Sequence, residues 1–297
     1  MRTETIDARD SGDSWRVGSS GAATRRGERV LSRDGTSIAF DRLGNGPALL
    51  LVDGAGCYRG FGPTGDLAKL LATHFTVFTY DRRGRGESGD TAPYAVAREV
   101  EDIEALLTEA GGTAFVWGMS SGGLLALEAA RRLAGIAKLA LYEAPLIVDD
   151  THDSNASLWM RIEEAVAANR PDDAVKSFLA SVDVPRFVIA VMRLLPVWSK
   201  LKSIAHTFPY DGAIVAEFQK GKPLTTDRWS GMEVLTLVID GGKSAEWMHH
   251  GNRALALALP NAEYRTLDGQ SHVLKPRAHV PTLVEFFTDG PTPRPGR

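Results

Sequence analysis

Gly118-Met119-Ser120-Ser121-Gly122 stands where the apolar run Ala114-Phe115-Val116-Trp117 gives way to a helical run over 124–130. A serine on a sharp strand-to-helix turn is held in strained backbone geometry that only small neighbours tolerate, and its hydroxyl is lifted clear of the sheet. The N–H groups that open the helix point at whatever this oxygen attacks. Nucleophilic acyl chemistry needs that arrangement, so Ser120 is the candidate nucleophile. The bare pattern is weak: with Gly at 30 of 297 positions, it arises by chance in roughly one chain in six. The strand before it and the helix after it give it weight.

A serine hydroxyl is a poor nucleophile near neutrality. It needs a base within hydrogen-bond reach, an acid to orient that base, and two N–H donors where negative charge develops. Of the seven histidines, His272 is the candidate base, in a turn after an apolar run near the C-terminus. His249 and His250 fall on an expected surface helix, and His206 falls among residues that could touch substrate.

The elements that must position these groups are legible as short apolar runs. Arg29-Val30-Leu31-Ser32 and Thr36-Ser37-Ile38-Ala39-Phe40 flank Asp34-Gly35, a hairpin signal. Ala48–Val52, 75–80, 114–117, 139–142, 235–239 and 264–267 read as strands buried on both faces of a parallel sheet. Amphipathic stretches such as 97–109, the run after Ser121, and 247–259 alternate with them. Strand–helix alternation of this kind predicts an α/β fold: a mostly parallel eight-stranded sheet with helices on both sides.

From 148 to 228 the alternation stops. This stretch carries only helical pattern, broken by Pro171, Pro185, Pro196, Pro209 and Pro223. It predicts an inserted helical cap over the carboxyl edge of the sheet, where ligands bind in such folds. Most of its aromatic residues are expected to pack the cap down. Trp159, Trp198 and His206 are carried forward as pocket candidates, with Asp53 from the core. The core itself is expected over 28–147 and 229–289. Polar residues 1–27 and Pro/Gly-rich 290–297 are expected to be disordered tails.

Composition narrows the function classes. A net charge of -3 without a basic block argues against a nucleic-acid surface. One cysteine, Cys57, cannot form an intrachain disulfide, which suits a reducing compartment. The N-terminus lacks the apolar stretch of a signal peptide, and no segment approaches membrane-spanning length. The expectation is a cytoplasmic protein with a small-molecule substrate and no membrane partner; a homodimer is left open. No His/Cys/carboxylate cluster shows metal-ligand spacing, so neither metal nor cofactor is expected.

Taken in order, these features resemble the α/β-hydrolase superfamily over residues 28–288. The hairpin, an apolar strand ending in Asp53-Gly54-Ala55-Gly56, the stretch Tyr80-Asp81-Arg82-Arg83-Gly84-Arg85-Gly86-Glu87-Ser88, the serine turn, a helical insertion and Leu267-Asp268-Gly269-Gln270-Ser271-His272 follow the family's order. Asp81 and Arg82 are read as tying a tight turn rather than doing chemistry. The resemblance implies the chain order serine, acid, histidine. It also implies oxyanion donors at Ser121 and at Gly54–Ala55, where Asp53 replaces the usual histidine.

The acid is ambiguous. Most relatives place an aspartate two or three residues beyond the Gly that follows the strand at 235–239, a slot held here by Lys243 or Ser244. Asp240 lies one residue early, and one step along a strand turns a side chain to the opposite face. Glu143 stands at the carboxyl end of the strand beside the nucleophile's, a position used by certain dehalogenases and zearalenone-type lactonases. Glu143 is preferred and Asp240 is the alternative. The Asp53-Gly54-x-Gly turn is similar to the same lactonases. The resemblance thus implies a cofactor-free serine hydrolase of an ester or lactone working through an acyl-enzyme. A lyase or cyclase on the same scaffold, or a receptor that keeps the triad, are the alternatives. Epoxide hydrolases and haloalkane dehalogenases place aspartate where this chain has Ser120.

Overall fold

Along Ala48–Val52 alternate side chains go to opposite layers: Leu50 and Val52 to one apolar cluster, Leu49 and Leu51 to the other. Burial on both faces is what a continuous Leu/Val run requires, and each fully buried leucine contributes about 1.5–3 kcal/mol. A computed structural model describes residues 24–153 and 156–289. Its strands are β1 (Thr24–Leu31), β2 (Ser37–Leu43), β3 (Ala48–Val52), β4 (Thr76–Tyr80), β5 (Ala114–Met119), β6 (Ile136–Tyr142), β7 (Leu235–Gly241) and β8 (Ala262–Leu267). They form one eight-stranded sheet in the order β1-β2-β4-β3-β5-β6-β7-β8. The β1–β2 and β2–β4 pairings are antiparallel, and the remaining pairings are parallel.

Five helices cover the two faces: α1 (Thr64–Leu71), α2 (Val96–Glu109) and α3 (Ser120–Arg132), then α9 (Glu246–Ala258) and α10 (Pro276–Thr288) after an insertion. Apolar residues of α2, α3 and α9 share one core cluster with Leu50, Val116 and Leu139. Those of α1 and α10 share the other with Leu49, Trp117 and Ala140. The sequence marks α10 weakly because Pro276 opens it and Pro281 interrupts it.

The expected tails at 1–27 and 290–297 lie outside the described residues, with one correction. Residues 24–27 are not tail but the start of β1, paired Thr24 to Leu43 and Arg25 to Arg42. A register shift between Arg25 and Glu28, with Gly27 at φ 71, absorbs an extra residue. An edge strand needs little apolar content, and charged side chains protect it from pairing with other chains. The polarity of residues 24–27 is what made them read as part of the tail.

Between β6 and β7 lie α4 (Ala156–Ala167), α5 (Pro171–Ser181), α6 (Arg186–Met192), α7 (Pro196–Ser203) and α8 (Phe208–Val215). They build an apolar cluster around Ile162, Val175, Phe178, Trp198, Leu201 and Phe208, against which Ala55, Tyr58 and Phe61 pack. Ile214, Val215 and Phe218 belong instead to the main core, so the insertion is sewn into the domain at its C-terminal end. Among the described residues no helix is long and apolar enough to cross a membrane.

Candidate active site

Ser120, Ser121, Glu143, His272 and Ala55 line one cavity of about 470 Å³ at the carboxyl ends of β3, β5, β6 and β8. Helices of the insertion supply Trp159, Phe178 and Val215; the segment after β7 supplies Lys243, Ser244, Trp247 and Met248.

Ser120 opens α3 with φ 52, in the left-handed region that side chains with a Cβ rarely adopt. Its glycine neighbours make that bend possible. A Cβ at position 122 would lie 2.3 Å from the Asp53 carbonyl oxygen, and one at 118 would lie 2.7 Å from that of Gly122. The G-x-S-x-G spacing is therefore steric: the turn passes against the loop after β3 with no room for side chains. Gly54 obeys the same constraint, since a Cβ there would stand 3.1 Å from Ser120 Cβ.

Glu143 also has φ 52, and its side chain is wholly buried. The Gly241 N–H and the Ser244 hydroxyl each donate to its Oε1, both at 2.6 Å. Its Oε2 lies 3.3 Å from His272 Nδ1. A carboxylate can only accept, so Nδ1 carries the proton and Nε2 is left with a lone pair. Ser244, in the slot where most relatives place the acid, thus serves as a donor to the acid candidate on the neighbouring strand. Ser271, which precedes the imidazole, accepts a 2.5 Å hydrogen bond from Tyr142 Oη at its carbonyl. No pattern in the sequence marks Tyr142 or Ser244 as supports.

Asp240 does not meet His272. It points to the α9 face, where His249 Nδ1 lies 2.7 Å from its Oδ2 and Tyr264 donates its hydroxyl to the same oxygen. Its neighbour Ile239 packs in the opposite layer with residues of α1 and α10, so alternation along β7 fixes the face that Asp240 takes. Three pocket candidates are also placed elsewhere. Trp198 is buried within the insertion and donates to Asp172 at 2.8 Å. His206 sits half-exposed near Asp90, at 3.9 Å. Asp53 faces Thr64, whose hydroxyl donates to it. Trp159 does line the cavity, fixed by its indole N–H donating to Gln219 Oε1 at 3.0 Å. Phe178, Trp247 and Met248 are lining residues that sequence reasoning missed. Among the described residues no His/Cys/Asp/Glu group could hold a metal ion.

Asp81 ties its turn as expected: the backbone N–H groups of Arg59 and Glu87 donate to its carboxylate at 2.7 and 2.9 Å. Gly86 permits this, because a Cβ there would lie 2.3 Å from Asp81 Oδ2. Arg82 does something different. It leaves its own turn and donates to Glu99 at 2.6–2.7 Å and to Asp211 of α8 at 2.8 Å.

Burial pushes the Asp53 carboxyl up to about 7, against the opposing pull of Arg85 and Arg82. The unfolded chain releases that proton near pH 4 and the folded chain near 7, so unfolding releases a proton between those values and stability falls as pH rises through them. The loss is on the order of 4 kcal/mol, complete above about pH 7. Asp53→Asn keeps the acceptor for Thr64 and removes the titration. Chemical denaturation at about pH 4 and pH 8 should therefore show wild type losing that much relative to the variant; parallel pH profiles would refute it.

Comparison with known proteins agrees with this architecture. Residues 44–283 match the family model described as "Alpha/beta hydrolase family". An alpha/beta hydrolase from Sphaerobacter thermophilus DSM 20745 is 45% identical, with a TM-score of 0.80, covering 88% of this chain and 100% of that one. The enol-lactonase from Burkholderia xenovorans LB400 has a TM-score of 0.65 at 23% identity, over 88% and 100% of the two chains. A pimeloyl-[acyl-carrier protein] methyl ester esterase of Xanthomonas oryzae is 38% identical over 108 residues, 35% of this chain and 40% of that protein. The uncharacterized hydrolase YraK of Bacillus subtilis (strain 168) is 28% identical over 157 residues, 50% of this chain and 55% of that one. The chain thus spans about half the length, or less, of these curated relatives. With the family match covering most of the sequence and the sheet, serine turn and insertion in that family's order, the chain belongs to the alpha/beta hydrolase family.

Proposed function

We propose that this protein is a serine hydrolase that cleaves a carboxylic ester or lactone of a small organic molecule through Ser120, His272 and Glu143. The observation that carries the reading is a convergence at one cavity: a serine in left-handed conformation, and an imidazole whose Nδ1 faces a buried carboxylate. In this reading His272 Nε2 takes the Ser120 proton as Oγ attacks the acyl carbon. The oxygen that becomes negative is received by the amides of Ala55 and Ser121, with Gly54 shaping the first of them. Collapse breaks the acyl–oxygen bond, and the imidazolium returns its proton to the departing alkoxide. Water, deprotonated by the same nitrogen, then releases the acid from the acyl-enzyme. Glu143 holds the tautomer and offsets the charge on the imidazolium.

Trp159, Phe178, Val215, Trp247 and Met248 give the cavity apolar walls, which favours a substrate with a bulky apolar part. The ester and lactone chemistry named for the Xanthomonas and Burkholderia proteins supports the same substrate class. A fluorophosphonate probe followed by peptide mapping tests the reading. Label is expected on Ser120 alone. Label elsewhere, or none on a chain that turns over activated esters, would overturn it.

A further inference from the structure

Arg85 and Asp211 are fully buried, far apart in sequence, and used by none of the chemistry above. Asp211 belongs to α8 of the insertion. Its Oδ1 accepts from Ser121 Oγ at 2.8 Å and from Arg82 Nη1 at 2.8 Å; its Oδ2 accepts from Arg85 Nη2 at 2.6 Å. The other arm of Arg85, Nη1, donates to the Gly54 carbonyl at 2.9 Å. Its Nε donates to Thr207, also in the insertion, at 3.2 Å.

We infer that Asp211 is a positioning residue for the oxyanion hole, through which the inserted helices set the amides of Ala55 and Ser121 for the reaction. This rests on the hydrolase reading above. The argument is one of peptide geometry. In a planar trans peptide the C=O and N–H point in opposite directions. Arg85 draws the Gly54 carbonyl to one side, so the Ala55 N–H of the same unit faces the other, and Ala55 lines the cavity. The second amide belongs to Ser121, whose side chain Asp211 holds directly. One carboxylate therefore ties both halves of the hole, one through a guanidinium and one through a hydroxyl.

Charge explains why a carboxylate is tolerated where negative charge must develop. Burial alone would raise the Asp211 carboxyl, but Arg85 and Arg82 hold it below the usual carboxylate range. The pair of guanidiniums offsets the charges of Asp211 and Glu99. The same contacts make the insertion and the catalytic loop one unit, since withdrawing α8 would strand the buried Asp211 carboxylate and take from Arg85 its carboxylate partner, while Arg82 keeps Glu99.

The test compares wild type, Asp211→Asn and Ser121→Ala in their rate of phosphonylation by a fluorophosphonate, resolved into kinact and KI, with circular dichroism confirming each fold. Asp211→Asn keeps the volume but presents an amide N–H₂ where Arg85 or Ser121 needs an acceptor. A fall in kinact of about 10–100-fold is expected, with KI within about twofold. Ser121→Ala keeps its amide and the Arg82–Asp211–Arg85 pairing, and cuts only the tether; a fall of about 5–10-fold in kinact is expected. It also decides the matter should Asp211→Asn fail to fold. Wild-type kinact in folded Ser121→Ala, or a change confined to KI in either variant, would overturn the inference while leaving the hydrolase reading intact. Wild type that takes no label on Ser120 would instead sink the hydrolase reading, and the positioning role with it.

Discussion

Ser120→Ala is expected to lower kcat on an ester substrate by about 10³-fold or more, with KM within a few-fold of wild type. The substitution removes one oxygen and little else. Ser120 already carries the cost of its left-handed backbone at φ 52, and alanine at the same φ carries about the same cost, so thermal stability should hardly move. What forces the bend is outside the residue, in the contact of Gly118 and Gly122 with each other and with the loop after β3. The residual rate comes from whatever the amide donors and the cavity walls supply without a nucleophile. Steady-state kinetics with a chromogenic ester, beside a thermal melt, checks both halves. A variant that keeps more than a tenth of wild-type kcat would mean the chemistry runs through another group, and a collapsed melt would mean the loss is structural.

The sheet was legible because its strands are buried on both faces, and a run such as Leu49-Leu50-Leu51-Val52 has few other homes. The polar start of β1, residues 24–27, was not, since this part of an edge strand is recognised by its partner β2 and not by its own composition. In the candidate site, Ser120 sits in a local pattern whose spacing has a steric cause, and His272 was chosen from its turn near the C-terminus and the chain order that the resemblance implies; both line one cavity. The acid could only be narrowed to Glu143 or Asp240, because the choice turns on strand register, and a one-residue difference in where β7 ends decides which face a carboxylate takes. The pocket was the least readable part. Trp159 and Trp198 have the same chemistry and lie in the same helical insertion, yet one faces the cavity and the other Asp172, an outcome set by how α4 to α8 pack on one another. Asp211 carried no signal, since the residues it joins lie 90–129 positions away.

Glu143→Gln should cost about 10³–10⁴-fold in kcat, whereas Asp240→Asn should leave kcat within about twofold. The size of the first effect follows from which way the new amide must turn. Glu143 Oε1 receives two donors, the Gly241 N–H and the Ser244 hydroxyl, so the carbonyl oxygen of glutamine is drawn to that side. Its N–H₂ then faces His272 Nδ1, which must accept instead of donate, and the imidazole proton moves to Nε2. That tautomer cannot take a proton from Ser120. The fold should survive, because the buried hydrogen bonds are kept and no charge is stranded. Asp240→Asn acts on the opposite face, where it weakens the contacts to His249 and Tyr264 and costs about 1–3 kcal/mol of stability without reaching the cavity. Kinetics and denaturant midpoints on the two variants side by side separate the roles: an inactive Asp240→Asn beside an active Glu143→Gln would move the acid to β7 and dissolve the tautomer argument with it.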